Sequence, residues 1–440
     1  MRIALIGNMN NANFALLRYL KDLGYDAKLF LYENDATNDN NHFNWTNDTW
    51  KIKTWRKFIV KTKIRNSHAQ ILSGNTFFYY LLVLFHKTIK LFGFSGGFVD
   101  PGVKNIGNYL NSLFKEFDLI IGSGNTPALF SFSKEKKLNI FYPYSTGVEY
   151  VNVVLEYENF LPFRFFQKCL INKAREIQIK GLKYNTELVY NAEMGITNKT
   201  LIGLGCRVKN NFIPAVYIEK SNKFSEFFII KKLIEKSNFT VLMHSRHKWD
   251  DSEIHQKNWE LNENKNNHWL IYAFSSLLKK YPKSNSKLFL LEYGENIDKS
   301  KKLISDLNLE KHVYWIKKMP RKKLIEIVKS VDLVAGEFYK AEQMIWGGTG
   351  WEAFSCGKPF MNSFRFINKS FDEIFGIPPP RILKSNSIND VTNSLIEAFE
   401  NSDQLNKDGN YNKLWYEQFI GKNQVKQWIS DYESTIHRIQ

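Results

Sequence analysis

The chain has 440 residues, 43% of them hydrophobic and 24% charged, and carries a formal net charge of +17. That length accommodates two domains, each able to bury a core, and the charge calls for an anionic partner such as nucleic acid, anionic lipid or a phosphorylated substrate. Three cysteines, Cys169, Cys206 and Cys356, with no C-x-x-C spacing, argue against a disulfide framework and for a reducing compartment. No basic-then-apolar leader opens the sequence, and no apolar run approaches the roughly 20 residues that span a bilayer, so a cytoplasmic location is expected.

From the N-terminus, Ile3-Ala4-Leu5-Ile6-Gly7 predicts a buried strand. Phe14 to Leu23 predicts a helix with Phe14, Leu17 and Leu20 on one face and Gly24 as its stop, and Ala27 to Tyr32 the next strand. This is a Rossmann-like opening. Its turn lacks G-x-G-x-x-G, so no dinucleotide is expected there. Instead the turn holds Asn8, Asn10 and Asn11, whose amides both donate and accept and so suit hydroxyl recognition. Lys51 to Arg65 carries seven basic residues and no acid, among them Arg56, Lys57, Lys61 and Lys63. Ile52, Trp55, Phe58 and Ile59 fall on roughly one helical face of that stretch. Phe77 to Phe85 is an apolar run followed by Lys87 and Lys90. Basic and aromatic residues in that combination suit an interfacial surface on an anionic membrane.

Two further strands, Phe117 to Ile121 and Leu138 to Tyr142, end in small polar residues that include Ser123, Asn125 and Thr146. Loops at the carboxyl ends of such strands line ligand clefts. Phe212 to Val216 reads as a linker. Beyond it, strands at Phe239 to Met243, Leu288 to Leu291 and Val313 to Ile316 alternate with helices, which predicts a second parallel sheet. His244, His247, Asp250, Asp251 and His255 come after the first of these strands without a second His/Cys pair at metal-site spacing, so no metal is expected. The strand Val331-Asp332-Leu333-Val334-Ala335 then leads to Gly347-Gly348-Thr349-Gly350-Trp351-Glu352-Ala353, a glycine-rich turn that feeds a helix. The free N–H groups and dipole of such a terminus favour a phosphate. Glu352, expected in the first turn, is suited to neutral hydroxyls beside it. Val425, Trp428, Ile429, Tyr432 and Ile436 predict an amphipathic C-terminal helix.

The pattern G-x-x-x-x-E-A-x-x-x-G-K-P, spanning Gly347 to Pro359 behind that strand, resembles the donor-binding segment of GT-B fold glycosyltransferases, most like family 4 (glycosyl transferases group 1). Lys265 to Phe274 is similar to the family's K-G-x-D-x-L-I-x-A-F, with Asn266 in place of Gly. The resemblance implies two Rossmann-like α/β domains facing across a cleft, and a C-terminal helix that returns to the first. It puts the acceptor-binding domain at 1–212, a linker at 213–222, the nucleotide-sugar domain at 223–410 and the returning helix at 411–440. It implies that Arg246 and Lys265 grip a donor diphosphate, that Gly347, Gly348 and Thr349 approach the sugar and diphosphate, and that Glu352 holds the ribose. Asn8, Asn10, Asn11, Ser123, Asn125 and Thr146 then fall on the acceptor side. The family's first acid, eight residues before Glu352, is replaced here by Met344; Glu342 and Glu337 are the nearest acids upstream, and Glu342 is taken with the donor-binding residues. The activity implied is transfer of a sugar from a nucleotide diphosphate sugar to a glycan or lipid-linked acceptor, with no cofactor and no metal. A nucleotide-sugar epimerase would need catalytic carboxylates and a His in the first domain. A basic nucleic-acid-binding protein would need a module that the sequence does not show.

Overall fold

The computed structural model describes residues 1–33, 43–92, 100–143, 164–191, 196–219, 228–249, 264–339, 346–366 and 369–437. The chain forms two compact units. One comprises Met1–Thr46, Lys51–Ala215 and Gln424–Gln440; the other comprises Asn47–Trp50 and Val216–Asn423.

The first unit is built on seven parallel strands: β1 (Arg2–Ile6), β2 (Asp26–Leu31), β3 (Ile59–Lys61), β4 (Leu119–Gly122), β5 (Leu138–Phe141), β6 (Thr186–Asn191) and β7 (Val208–Asn210). Their order is β3-β2-β1-β4-β5-β6-β7. Parallel strands covered on both faces are uniformly apolar rather than alternating. In β1 and β4 this holds: Ile3, Ala4, Leu5 and Ile6 are all buried, as are Leu119, Ile120 and Ile121. The chain winds outward from β1 in one direction and from β4 in the other, so the switch point lies between them. Helix α1 (Ala12–Asp22) joins β1 to β2 and buries Phe14, Leu17 and Leu20.

The basic stretch differs from its sequence-based expectation. It forms a short helix, α2 (Ile52–Arg56), and then turns into β3. Ile59 pairs in parallel with Leu29 of β2, while Trp55 packs edge-on against Phe14. Sheet pairing of the β-branched Ile59 and Val60 overrides the helical spacing. Arg56, Lys57, Lys61 and Lys63 remain exposed, but not on one helical face.

Two further helices, α3 (His68–Leu72) and α4 (Thr76–Leu91), pack beside the long helix Arg164–Tyr184. Leu82 and Ile89 of α4 are buried against Ala69, Leu72, Leu170 and Ile177. The C-terminal helix, Lys422–His437, contributes Val425, Trp428, Ile429 and Tyr432 to the core of this same unit. Trp428 stacks on Tyr190 at 4.3 Å, and the Tyr190 hydroxyl donates to Asp431 Oδ2 at 2.8 Å.

The second unit holds six parallel strands: β8 (Thr240–Met243), β9 (Lys287–Glu292), β10 (Val313–Lys317), β11 (Leu333–Ala335), β12 (Phe360–Asn362) and β13 (Ile382–Lys384). The order β10-β9-β8-β11-β12-β13 places its switch point between β8 and β11.

Candidate active site

Ligands in open parallel sheets bind beyond the carboxyl ends of the strands, at the point where the strand order reverses. In the second unit that point gathers residues from two places. His244, Ser245 and Arg246 leave the end of β8, while Gly336, Glu337 and, further on, Gly347 to Glu352 come after β11. The two sides are tied together: the Ser245 hydroxyl donates to Gly336 O at 3.3 Å.

The glycine turn forms the N-terminus of α5 (Gly348–Ser355). Gly347 is its N-cap and makes no side-chain capping bond, so the first N–H groups are left for a ligand. A side chain at Gly348 would meet nothing within 4 Å among the described residues. At Gly347 a side chain would lie 3.2 Å from Glu337 Oε2. The helix begins at Gly348, so Glu352 stands in the second turn rather than the first, because the glycines themselves adopt helical geometry. Cys356 caps the other end, and burial pushes its thiol up to about 12, which removes it as a nucleophile.

Lys265 arrives at the same point. Its ammonium donates to Glu337 Oε2 at 2.6 Å, with the two side chains only 14% and 9% exposed. Its carbonyl accepts from Phe338 N–H at 3.1 Å, which fixes it beside the β11 loop. The next residue, Asn266, has φ +46°, left-handed geometry that glycine and asparagine adopt most readily. This accounts for Asn where the resembling motif has Gly. Arg246 is half-buried two residues beyond His244.

Glu352 is engaged on both oxygens. Oε2 accepts from His244 Nε2 at 2.7 Å and Oε1 from Arg321 Nε at 2.8 Å. Arg321 also reaches Asp48 of the same unit at 3.5 Å. Local sequence assigns no functional role to His244, Arg321 or Glu337. His244 is legible only as the residue closing a strand, and Arg321 lies 31 positions from its partner.

In the first unit the candidate acceptor residues gather at the β1/β4 switch point. Gly7 has φ +82°, and a side chain there would collide with Ser123 and Tyr32, so the turn requires glycine. Asn10 and Asn11 are both left-handed. The Asn8 amide donates to Asn11 Oδ1 at 2.7 Å and to Phe43 O at 2.8 Å, while its oxygen accepts from Phe14 N–H at 3.0 Å. Ser123 and Asn125 are buried beside it. Asn8 and Asn11 thus brace the turn itself, and Asn10 is the one only half-buried. Glu342, Thr146, Asp250, Asp251 and His255 lie outside the described residues. Among the described residues no group of three or more His, Cys, Asp or Glu side chains has metal-site geometry.

Two all-parallel Rossmann-like sheets, with the C-terminal helix packed into the first unit, define the GT-B class of glycosyltransferase folds. Residues 258–379 match the family model described as glycosyl transferases group 1. Similar solved structures include HepE from Anabaena in complex with UDP, with 14% identity, 99% of this chain and 100% of that one covered, and a TM-score of 0.57. Sucrose-phosphate synthase from Thermosynechococcus elongatus aligns over 100% of both chains with 10% identity and a TM-score of 0.52. A glycosyltransferase from Rickettsia africae aligns over 99% of this chain and 98% of its own, with 13% identity and a TM-score of 0.52. A comparison with curated proteins finds no match.

Proposed function

We propose that the chain moves a sugar from a nucleoside diphosphate sugar to a glycan or lipid-linked acceptor, with retention of configuration and without a metal, in cell-surface polysaccharide or glycoconjugate synthesis. What supports this reading is a glycine-started helix terminus at the switch point of the second sheet, with Lys265 paired to Glu337 beside Gly347; the reading adds Arg246, which follows the end of β8. The departing nucleoside diphosphate gains negative charge as the glycosidic bond breaks. Fixed N–H groups and cations placed there lower the barrier by several kcal/mol and can do the work of a divalent ion. HepE has been solved with UDP and with UDP-glucose, which favours a uridine donor here. The test is a thermal-shift screen of UDP, GDP, CMP and dTDP, with and without EDTA. UDP at about 100 times its dissociation constant should add about 2.7 kcal/mol of stability, unchanged by the chelator. Flat responses to all four nucleotides would reject the donor site, and a UDP response abolished by EDTA would reject metal independence.

The reading includes an anionic membrane surface as partner, and α4 supports it. This 16-residue helix has no acidic residue. The face turned away from its packing contacts leaves Phe77 71%, Leu84 65% and Leu91 86% exposed, with Lys87 and Lys90 also exposed at the same end. No described helix is long and apolar enough to cross a membrane; in this reading α4 lies in the interface. Each Lys near an anionic surface contributes on the order of 1 kcal/mol. The protein should co-sediment with phosphatidylserine-containing liposomes at low salt and be released in part at high salt, where screening shortens the Debye length. Leu84→Ser with Leu91→Ser should abolish that binding and leave nucleotide binding intact. Equal sedimentation of the variant and the wild type would remove α4 from the membrane surface.

A further inference from the structure

Buried polar atoms are nearly always hydrogen-bonded, and each exception asks for an explanation. Two such exceptions flank the helix terminus: His244 Nδ1 and Thr349 Oγ1 have no partner among the described residues, although both residues are more than nine-tenths buried. His244 stands at the carboxyl end of β8 and Thr349 is the second residue of α5, so they come from the two sides of the switch point. The Glu352 carboxylate accepts the Nε2 proton of His244, and Arg321 holds that carboxylate from its other oxygen. With Nε2 committed to Glu352, Nδ1 is the ring nitrogen left for a ligand.

We infer that His244 Nδ1 and Thr349 Oγ1 form a subsite for a hydroxyl of the donor nucleotide sugar, with Glu352 and Arg321 as positioning residues that fix the imidazole's tautomer and orientation. The subsite rests on the donor reading above and deepens it. A ligand hydroxyl pairs with Nδ1 and a second exchanges a hydrogen bond with Oγ1, so a diol is the ligand group the subsite would take. Filling the subsite satisfies two atoms that are otherwise buried at a cost. The ribose and the transferred sugar both offer such a diol.

Two substitutions at His244 separate ligand recognition from folding. The amide of His244→Gln reaches the Nε2 position and keeps the donor to Glu352, but offers nothing at Nδ1. His244→Asn does the reverse. Affinities for UDP, 2′,3′-dideoxy-UDP and UDP-glucose are measured by titration calorimetry for the wild type, His244→Gln, His244→Asn and Thr349→Val. Loss of one neutral hydrogen bond should weaken binding about three- to tenfold. His244→Gln and Thr349→Val should therefore lose affinity with their melting temperatures kept, while His244→Asn loses melting temperature and keeps more of the affinity. If the loss appears for UDP and vanishes for the dideoxy compound, the hydroxyl is the ribose's. If it appears for UDP-glucose alone, it is the sugar's. Wild-type affinity of His244→Gln and Thr349→Val for all three ligands would overturn the subsite while leaving the donor reading in place. A wild-type protein that binds none of them would overturn both.

Discussion

Lys265→Met is expected to slow UDP release from a UDP-sugar by about 100- to 1,000-fold, the loss usually caused by removing one fixed group that meets developing negative charge. The single substitution also strands Glu337, whose side chain is 9% exposed and whose ammonium partner sits at 2.6 Å. An uncompensated buried charge destabilises in its own right. The double variant Lys265→Met, Glu337→Gln removes both charges, so it should regain most of the lost melting temperature and none of the turnover. Wild-type turnover in that double variant would show that Lys265 serves the fold alone. The pair also sets the order of events at the site. The cation is paired with an acid that borders Gly347, so in the proposed reading a diphosphate competes with Glu337 for it.

Glu352→Ala is expected to destabilise the second unit by about 3–5 kcal/mol, because it leaves Arg321 and His244 facing an empty buried position. For a unit of this size each kcal/mol moves the melting temperature by roughly 2–4 °C. The effect has a pH signature. Burial pushes the Glu352 carboxyl up, but the His244 hydrogen bond and the Arg321 charge together outweigh it and hold the group below its ordinary value. Such a carboxyl binds fewer protons folded than unfolded. The stability it contributes is complete above the unfolded value of about 4.3 and is lost as pH falls through the lower, folded value. Glu352→Gln should therefore show a shallower loss of stability on the acid side than the wild type. Urea melts between about pH 3 and about pH 6 bracket that unfolded value. Identical acid-side slopes across them would mean that the carboxylate's pairing contributes nothing measurable.

Much of the frame is legible in the chain. The apolar run Ile3 to Ile6, the Gly24 stop and the spaced strands of the second half point to parallel sheets, because a strand covered on both faces has only apolar residues to offer. Asn266 is legible as a departure from a glycine motif, and its left-handed backbone explains why the exchange is tolerated. The stretch from Lys51 to Arg65 has the spacing of one helical face and does not form one. The pairing of Ile59 with Leu29 depends on a strand some 30 residues away and leaves no local trace.

Local spacing and turn chemistry are enough to specify two parallel sheets and a glycine-started helix behind a buried strand, and short motifs resembling a known family single out Arg246 and Lys265 on the way to it. Neighbouring residues carry all of that information. Which side chains face one another is a property of the closed fold instead. Strand order puts β8 beside β11, although some 90 residues separate them. That adjacency gives Lys265 to Glu337, clamps Glu352 between His244 and Arg321, and leaves His244 Nδ1 and Thr349 Oγ1 without partners among the described residues. Side chains so far apart along the chain acquire their electrostatics from burial and from one another, and both exist only once the sheet has closed.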